Sequence, residues 1–431
     1  MKRTEIKDLK PGKKVRVHGW VRSIRDQKSI MFLILGDRES LVQVIIKKEE
    51  YPEVAHALEG IQINSTVVLD GRVVAAPNVK LGGIEIIPTK VTVTSRAAVS
   101  PIDEKSGLDL QLDYRWLDLR CPVKTGYFKV QTEILRAMRE WFVKNKYIEI
   151  MTPKITGHST EGGAEVFEVK YFDKKAYLTQ SPQLFKQMGI AAGFEKVFEV
   201  GASYRAEKSF TSRHATEFFG VDVEIGFVDS EHDVMDAQEA MLAAAFKQIG
   251  KSCADLFKKL DIQFNGNLKK FPRITLLQAY DLLLKERGYE VPKASKGDLD
   301  PESERLLCEI SAEKWGSDFI FITDFPVSAR PFYIMKGENA KFTRGYDLLY
   351  RGVEITSGGQ REHRADVLRE SIRAKGMNPE DLNFYVQFFE YGCPPHGGYC
   401  IGLARIVSKI LGLPSVKDVI YLFRGPDRLS P

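Results

Sequence analysis

Arg205 and Glu207, followed by a basic loop and then Asp222 and Glu224, are the residues whose types and spacing most directly suit chemistry. They lie in VFEVGASYRAEKSFTSRHATEFFGVDVEI, residues 197–225. Both ends of this stretch mix β-branched and aromatic residues and read as strands. Residues 208–214, KSFTSRH, read as the loop between them. In a strand, residues two apart share a face. Arg205 and Glu207 therefore point one way, and so do Asp222 and Glu224. A face that carries an arginine and carboxylates beside a basic loop suits a ligand that is both a polyanion and a hydrogen-bond donor. ATP is such a ligand, because its phosphates attract guanidinium groups and its adenine amino group needs an acceptor. The alternative is a surface hairpin with cross-strand ion pairs.

Three further stretches carry polar residues in suggestive places. In QSPQLFK, residues 180–186, Ser181 suits a helix N-cap and Pro182 the first helical position. Gln183 and Lys186 then sit one turn apart on one face. In YDLLYRGVEITSGGQR, residues 346–361, a strand enters a glycine turn and brings Asp347, Glu354, Ser357 and Arg361 along it. A carboxylate and a hydroxyl beside a phosphate site suit Mg²⁺, which prefers oxygen ligands. In PPHGGYCIGLARIVSKILG, residues 394–412, a glycine-rich strand runs into an amphipathic helix with Arg405 at the junction. Glycines there permit close approach of a flat ligand. The stretch is neither a Walker loop nor a dinucleotide fingerprint. Glu161-Gly162-Gly163 reads as a mobile turn bearing a carboxylate.

The elements that must position these residues fall into two parts. Residues 15–96 contain five short strands with one helix inserted, YPEVAHALEG. That pattern predicts a small Greek-key barrel of the OB type. Residues 1–100 carry 17 Lys and Arg against 11 Asp and Glu, which points to a polyanionic partner for this part. OB barrels combine basic charge with aromatic residues on which bases stack, and Phe32 and Gln43 on neighbouring strands could supply a stacking face and a base-edge contact. Core packing is the competing role for Phe32. Residues 101–125 lack periodicity and read as a linker. From residue 126 the chain turns helical, and the strand KYIEIM then stops at Pro153. The expected domains are 1–100, a linker at 101–125, and 126–431. The expected fold class is α+β, a five-stranded barrel followed by an antiparallel sheet flanked by helices.

The whole chain has 431 residues, 43% hydrophobic and 28% charged, with a net charge of +5. Its charged N-terminus does not read as a signal peptide, and no apolar run is long enough to span a membrane. The five cysteines, Cys121, Cys253, Cys308, Cys393 and Cys400, are scattered and contain no CxxC pair. That predicts a reducing compartment, the cytoplasm, without a disulfide framework or zinc site.

Taken together, these stretches resemble the class II aminoacyl-tRNA synthetases, most closely the aspartyl-tRNA synthetases of archaeal type. The strand ending at Pro153 is similar to the family's motif 1, which forms its dimer interface. Arg205-Ala206-Glu207, the loop, His214, Phe218 and Asp222 resemble motif 2, and Gly397-Gly398, Gly402 and Arg405 resemble motif 3. The resemblance implies ATP as a substrate, Mg²⁺, tRNA and L-aspartate as partners, and a homodimer. It places ATP against Arg205, Ala206, Glu207, Arg213, His214, Ala215, Phe218, Glu354, Gly402, Leu403, Ala404 and Arg405. Arg205 would be the catalytic residue, meeting the α-phosphate and the substrate carboxylate. Glu207 would take the adenine amino group, Phe218 would stack on adenine, and Arg213 and Arg405 would grip the terminal phosphates. Glu354 and Ser357 match the Mg²⁺ positions. Glu161, Gln183, Lys186, Arg205, Ser357 and Arg361 match the aspartate pocket, with Glu161 on a loop that closes over the ammonium. Phe32, Gln43 and Glu85 match anticodon-reading positions.

The amino acid follows from charge. Burying an aspartate side chain is costly unless it is paired, and Lys186 and Arg361 offer two cations to one carboxylate. A neutral asparagine would leave them under-compensated. The expected activity is therefore that of an aspartate–tRNA ligase, with tRNA(Asn) left open as a second acceptor and an asparaginyl-tRNA synthetase as the alternative. The chain departs from the family where Ala404 replaces an acid and Cys400 replaces a common glycine.

Overall fold

Alternation of apolar and polar residues with period two decides the N-terminal fold. In the computed structural model, which describes residues 2–103, 105–157 and 165–431, strands Lys14–Asp26, Ile30–Gly36, Leu41–Lys47, Thr66–Ala75 and Ile84–Ser95 close into a barrel. Helix Pro52–Ala57 sits between the third and fourth strands. Val15, Val17 and Val21 of the first strand point inward with Leu33, Leu35, Val42, Val44 and Ile86. The barrel closes where the first strand pairs antiparallel with the fourth, from Lys14 opposite Arg72 to Trp20 opposite Thr66. Closure leaves this sheet without a free edge. The expected five-stranded OB barrel with one helix is what forms.

The chain divides into two compact units, Met1–Pro122 and Val123–Pro431. Residues 108–118, inside the stretch expected to act as a linker, form the short helices Leu108–Asp113 and Arg115–Asp118. Arg115 is buried and donates to Asp118. Sequence periodicity is a weak signal over segments this short.

The second unit is built on an eight-stranded sheet. Its six central strands are antiparallel, in the order Phe319–Thr323, Gly345–Tyr350, Val353–Gln360, His396–Gly402, Glu217–Gly226 and Lys196–Tyr204. The sheet is mixed rather than purely antiparallel, because Arg273–Thr275 and Ile148–Glu149 pair in parallel at its two edges. Helices Pro122–Lys144 and Glu231–Ser252 cover one face. The first presents Val130, Ile134, Ala137, Met138 and Phe142 at helical spacing. These pack with Phe198, Val221, Val223, Tyr399 and Ile401. The second begins with a capping box in which Ser230 and Asp233 satisfy each other's backbone N–H groups.

Burying alternate residues of the central strands against those helices aims the intervening residues at the opposite face. Val221 and Val223 face the core, so Phe218, Gly220, Asp222 and Glu224 face away. Tyr399 and Ile401 likewise set the direction of Gly398, Cys400 and Gly402. Register then places Asp222 opposite Cys400, and Cys400 opposite Ser357. Among the described residues, no helix is long and apolar enough to cross a membrane.

Candidate active site

That second face of the sheet holds a cleft with two adjoining lobes. The first, of about 390 Å³, is lined among others by Gln183, Lys186, Arg205, Arg330, Ser357 and Arg361. The second, of about 340 Å³, is lined among others by Arg213, His214, Ala215, Gly402, Ala404 and Arg405. Glu207, Phe218, Glu354 and Cys400 border both, as do Arg205 and Ser357. The structure thus brings together most of the residues expected around ATP and aspartate. Ala206 and Leu403 line neither lobe. Ala206 gives its N–H to the Glu165 carbonyl, and Leu403 is buried in the apolar core beneath the sheet. Glu161 lies outside the described residues.

The closed end of the first lobe holds two buried cations. Lys186, on helix Gln183–Ala191, donates to Asp222 Oδ1 and to the Tyr399 carbonyl at 3.1 Å each, and lies 3.5 Å from Glu224 Oε2. Arg361 Nε donates to Glu224 Oε1 at 2.9 Å, and its guanidinium stacks on Tyr333. Lys186 and Arg361 are 2% and 3% exposed. The expectation of two cations awaiting one carboxylate is therefore corrected. Asp222 and Glu224 already balance them, which physics demands of charges this deeply buried. Burial alone would raise the Glu224 carboxyl, but Arg361 and Lys186 hold it below the usual range. Gln183 Nε2 donates to Gln187 Oε1 at 2.9 Å.

The glycines of residues 397–402 divide between two jobs. A Cβ on Gly398 would come within 2.2 Å of Glu224 Oε2 and 2.1 Å of the Val223 carbonyl. Gly398 therefore makes room for a resident carboxylate rather than for a ligand. A Cβ on Gly402 would meet nothing nearer than Arg405 Cδ at 3.5 Å, so the lobe it borders is open.

The middle of the cleft concentrates opposite charges. Arg205 lies 3.7 Å from Glu207 and packs on the Phe218 ring. Burial alone would raise the Glu354 carboxyl, yet Arg405, Arg330, Arg213 and Arg205 together hold it below the usual range. Ser357 Oγ accepts from Arg330 Nη1 at 3.1 Å, and Arg330 Nη2 donates to Asp347 Oδ2 at 2.6 Å. Burial lifts the Asp347 carboxyl to about 7, with Arg330 pulling the other way, and its Oδ1 has no hydrogen-bond partner among the described residues. His214, accepting or donating at Thr211, is pushed down by burial and by Arg405 and Arg213. Cys400 sits between the lobes, its thiol pushed up by burial and by Asp222.

Glu354 and Ser357 offer oxygen donors only, a partly exposed carboxylate and a hydroxyl, and this suits Mg²⁺. No group of three or more His, Cys, Asp and Glu side chains forms a metal cage among the described residues. A site of one carboxylate completed by substrate phosphates and water is the usual form for this ion.

Arg330 and Tyr333 were not legible beforehand. Both follow a single 3-10 turn, Val327–Ala329, in a stretch without periodicity. The carboxylates that neutralise the pocket, Asp222 and Glu224, do show in the strand pattern, but their pairing with Lys186 and Arg361 is tertiary.

On the barrel, Phe32, Gln43 and Glu85 all lie on the outer surface. Phe32 alternates with buried Met31 and Leu33 and is half-buried, so it is not a core residue. Gln43 stands opposite Glu85 in parallel register and donates to its Oε2 at 3.1 Å.

Comparison with known proteins places both units. Residues 107–424 match the family described as tRNA synthetases class II (D, K and N), and residues 15–94 match the OB-fold nucleic acid binding domain. The chain is 42% identical to the aspartate–tRNA(Asp) ligase of Pyrococcus abyssi, covering 99% of this chain and 98% of that protein. It is 39% identical to the aspartate–tRNA(Asp/Asn) ligase of Thermus thermophilus over the full length of both. Among solved structures, the asparaginyl-tRNA synthetase of Pyrococcus horikoshii with asparaginyl-adenylate superposes with a TM-score of 0.91 at 31% identity, each chain covered completely. The aspartyl-tRNA synthetase of Entamoeba histolytica gives 0.88 at 31% identity, covering 100% of this chain and 93% of that one.

Proposed function

The chain belongs to the class II tRNA synthetases of the D, K and N group, and we propose that it is an aspartate–tRNA ligase. The carrying observation is the pair of buried cations at the closed end of the cleft, with arginines lining the other end. Full-length likeness to aspartate–tRNA ligases supports the same reading.

In this reading the first lobe takes L-aspartate and the second takes ATP. The substrate ammonium pairs with Asp222, which lines the lobe, whereas Glu224 lies buried beneath it. Lys186 and Arg361 are then left with Glu224 alone, one positive charge in excess. The aspartate side chain supplies the missing negative charge. Asparagine would leave a buried cation unpaired, at a cost of several kcal/mol. The asparaginyl structure superposes at least as well as the aspartyl one, so fold does not separate the two activities and the proposal rests on this charge balance.

An α-carboxylate oxygen of aspartate attacks the α-phosphorus of ATP, the bond to pyrophosphate breaks, and aspartyl-adenylate forms. A terminal hydroxyl of tRNA then attacks the activated carbonyl and AMP leaves. No covalent intermediate with the protein is needed. Arg205 stands where the two lobes meet and neutralises charge on the α-phosphate and the attacking carboxylate. Phe218 offers a stacking face to adenine, and Glu207 an acceptor for its amino group. Glu354 and Ser357 would hold Mg²⁺, which screens phosphate charge when bound. Phe32, Gln43 and Glu85 would read the anticodon from the barrel surface.

The protein would act in the cytoplasm as a homodimer. Exposed Val143, Ile148, Met151 and Ile155, at and after the end of the long helix, supply an apolar surface for the second copy. Aminoacylation of purified tRNA(Asp) and tRNA(Asn) with labelled aspartate tests the reading. Loading of tRNA(Asp) supports it, and loading of neither tRNA overturns it.

A further inference from the structure

Glu304 lies outside both lobes, on helix Pro301–Trp315, and is 3% exposed. Its carboxylate nevertheless ties together two parts of the second lobe. Arg213 Nη1 donates to Glu304 Oε1 at 2.9 Å and to Oε2 at 3.0 Å. The backbone N–H of Glu354 donates to the same Oε2 at 2.8 Å. One carboxylate thus fixes a loop arginine and the start of strand Val353–Gln360 at once. The remaining nitrogens of Arg213, Nε and Nη2, donate to no described residue, and Arg213 borders the lobe.

Arg405 is held differently. It lies 3.5 Å from the side chain of Glu354, which is 35% exposed, and donates to the Glu354 carbonyl at 2.9 Å. A cation or a phosphate entering the lobe can compete for that exposed pair. It meets Arg213 at the lobe wall but not the Glu304 carboxylate behind it, which lies outside the lobe and is almost wholly buried. Arg405 also donates to the Arg213 carbonyl at 3.4 Å; its ion-pair partner Glu354 is partly exposed, whereas Arg213 is anchored by a buried carboxylate with donors to spare.

We propose that Glu304 is a positioning residue for the triphosphate: by anchoring Arg213 from behind, it presets the end of the lobe that meets the β- and γ-phosphates. This rests on the reading that the second lobe binds ATP. A preset guanidinium contributes affinity because the ordering of a long side chain is already done before the ligand arrives. The contribution should appear with ATP and pyrophosphate, which reach Arg213, and be absent with AMP, which does not.

The test compares ATP and AMP binding by calorimetry, and steady-state pyrophosphate exchange, for wild type and Glu304→Gln. Glutamine keeps the size and an acceptor for the Glu354 N–H but loses the charge that holds Arg213. Loss of that charge-assisted pair should weaken ATP binding by about tenfold, with a matching rise in KM for ATP and pyrophosphate. AMP affinity, the KM for aspartate and kcat should stay within about twofold. In an Arg213→Ala background, Glu304→Gln should have no further effect on ATP. If Glu304→Gln does not fold, Glu304→Asp, which withdraws the carboxylate by one methylene, is read the same way. Equal weakening of ATP and AMP, or an undiminished effect without Arg213, would overturn the proposal. Failure of the wild type to bind either nucleotide would instead remove the ATP reading on which it rests.

Discussion

The two ends of the cleft solve the problem of holding charge in opposite ways. At the closed end, Lys186, Arg361 and Glu224 are almost wholly buried, and each is matched by an opposite charge. At the open end, Arg213 and Arg405 are about a quarter exposed. A buried charge must be compensated before any ligand arrives. In the proposed reading, the closed end would recognise its substrate by how that substrate alters an existing balance. The open end is balanced as well, by Glu304 on Arg213 and Glu354 beside Arg405, but its arginines are partly exposed and keep spare donors. On that proposal, selectivity would belong to the first arrangement, and tolerance of a changing polyanion to the second.

Breaking that comparison begins with stability. Arg361→Leu leaves Lys186 as the one cation beside both buried carboxylates, Glu224 and Asp222, and should lower the unfolding free energy by about 3–5 kcal/mol in a urea titration. Arg405→Ala should lower it by no more than about 1 kcal/mol. Equal losses would mean that the two ends are not different in kind. Next comes Arg205→Ala at the junction, which should reduce kcat for adenylate formation by about 10²–10³ while leaving the urea midpoint in place. An unchanged kcat would remove Arg205 from the chemistry.

A third test separates the cleft from the barrel. Phe32→Ala should weaken tRNA use by about 1–3 kcal/mol and leave ATP–pyrophosphate exchange intact. Loss of exchange to the same degree would show that Phe32 acts on folding. The smallest effect concerns pH at the open end. Glu354 has its carboxyl lowered in the folded state, so its ionisation contributes stability above the unfolded value near 4.5. That contribution is lost as pH falls through the lower folded value. Glu354→Gln should therefore be less stable than wild type at neutral pH, by up to about 1 kcal/mol given its exposure. The gap should close below pH ~4.5. A gap that widens in acid would show that the arginines do not favour the charged form. The same variant should also make exchange depend more steeply on Mg²⁺ concentration.

The open end was far more legible in the sequence than the closed end, and the reason is physical. Arg205, Glu207, Arg213 and Phe218 belong to one hairpin, so strand alternation and loop composition bring them together locally. The barrel was legible for the same reason, since each of its strands shows the two-residue period. Lys186, Arg361 and Glu224 come from a helix, a strand end and a distant strand, and only packing reveals that they touch. Lys186 and Arg361 could be nominated by resemblance, but not their compensation by Asp222 and Glu224. Arg330 and Glu304 come from stretches where nothing in the local pattern separates them from surface residues.

The central claim is that the closed end is balanced for a substrate that brings its own negative side chain. The direct measurement is kcat/KM of the wild type for aspartate and for asparagine in ATP–pyrophosphate exchange, followed by the same pair for Lys186→Leu. The charge balance predicts that wild type favours aspartate by about 10⁴-fold or more, and that Lys186→Leu loses most of that preference by losing aspartate. Comparable rates with both amino acids, or a preference for asparagine, would contradict it.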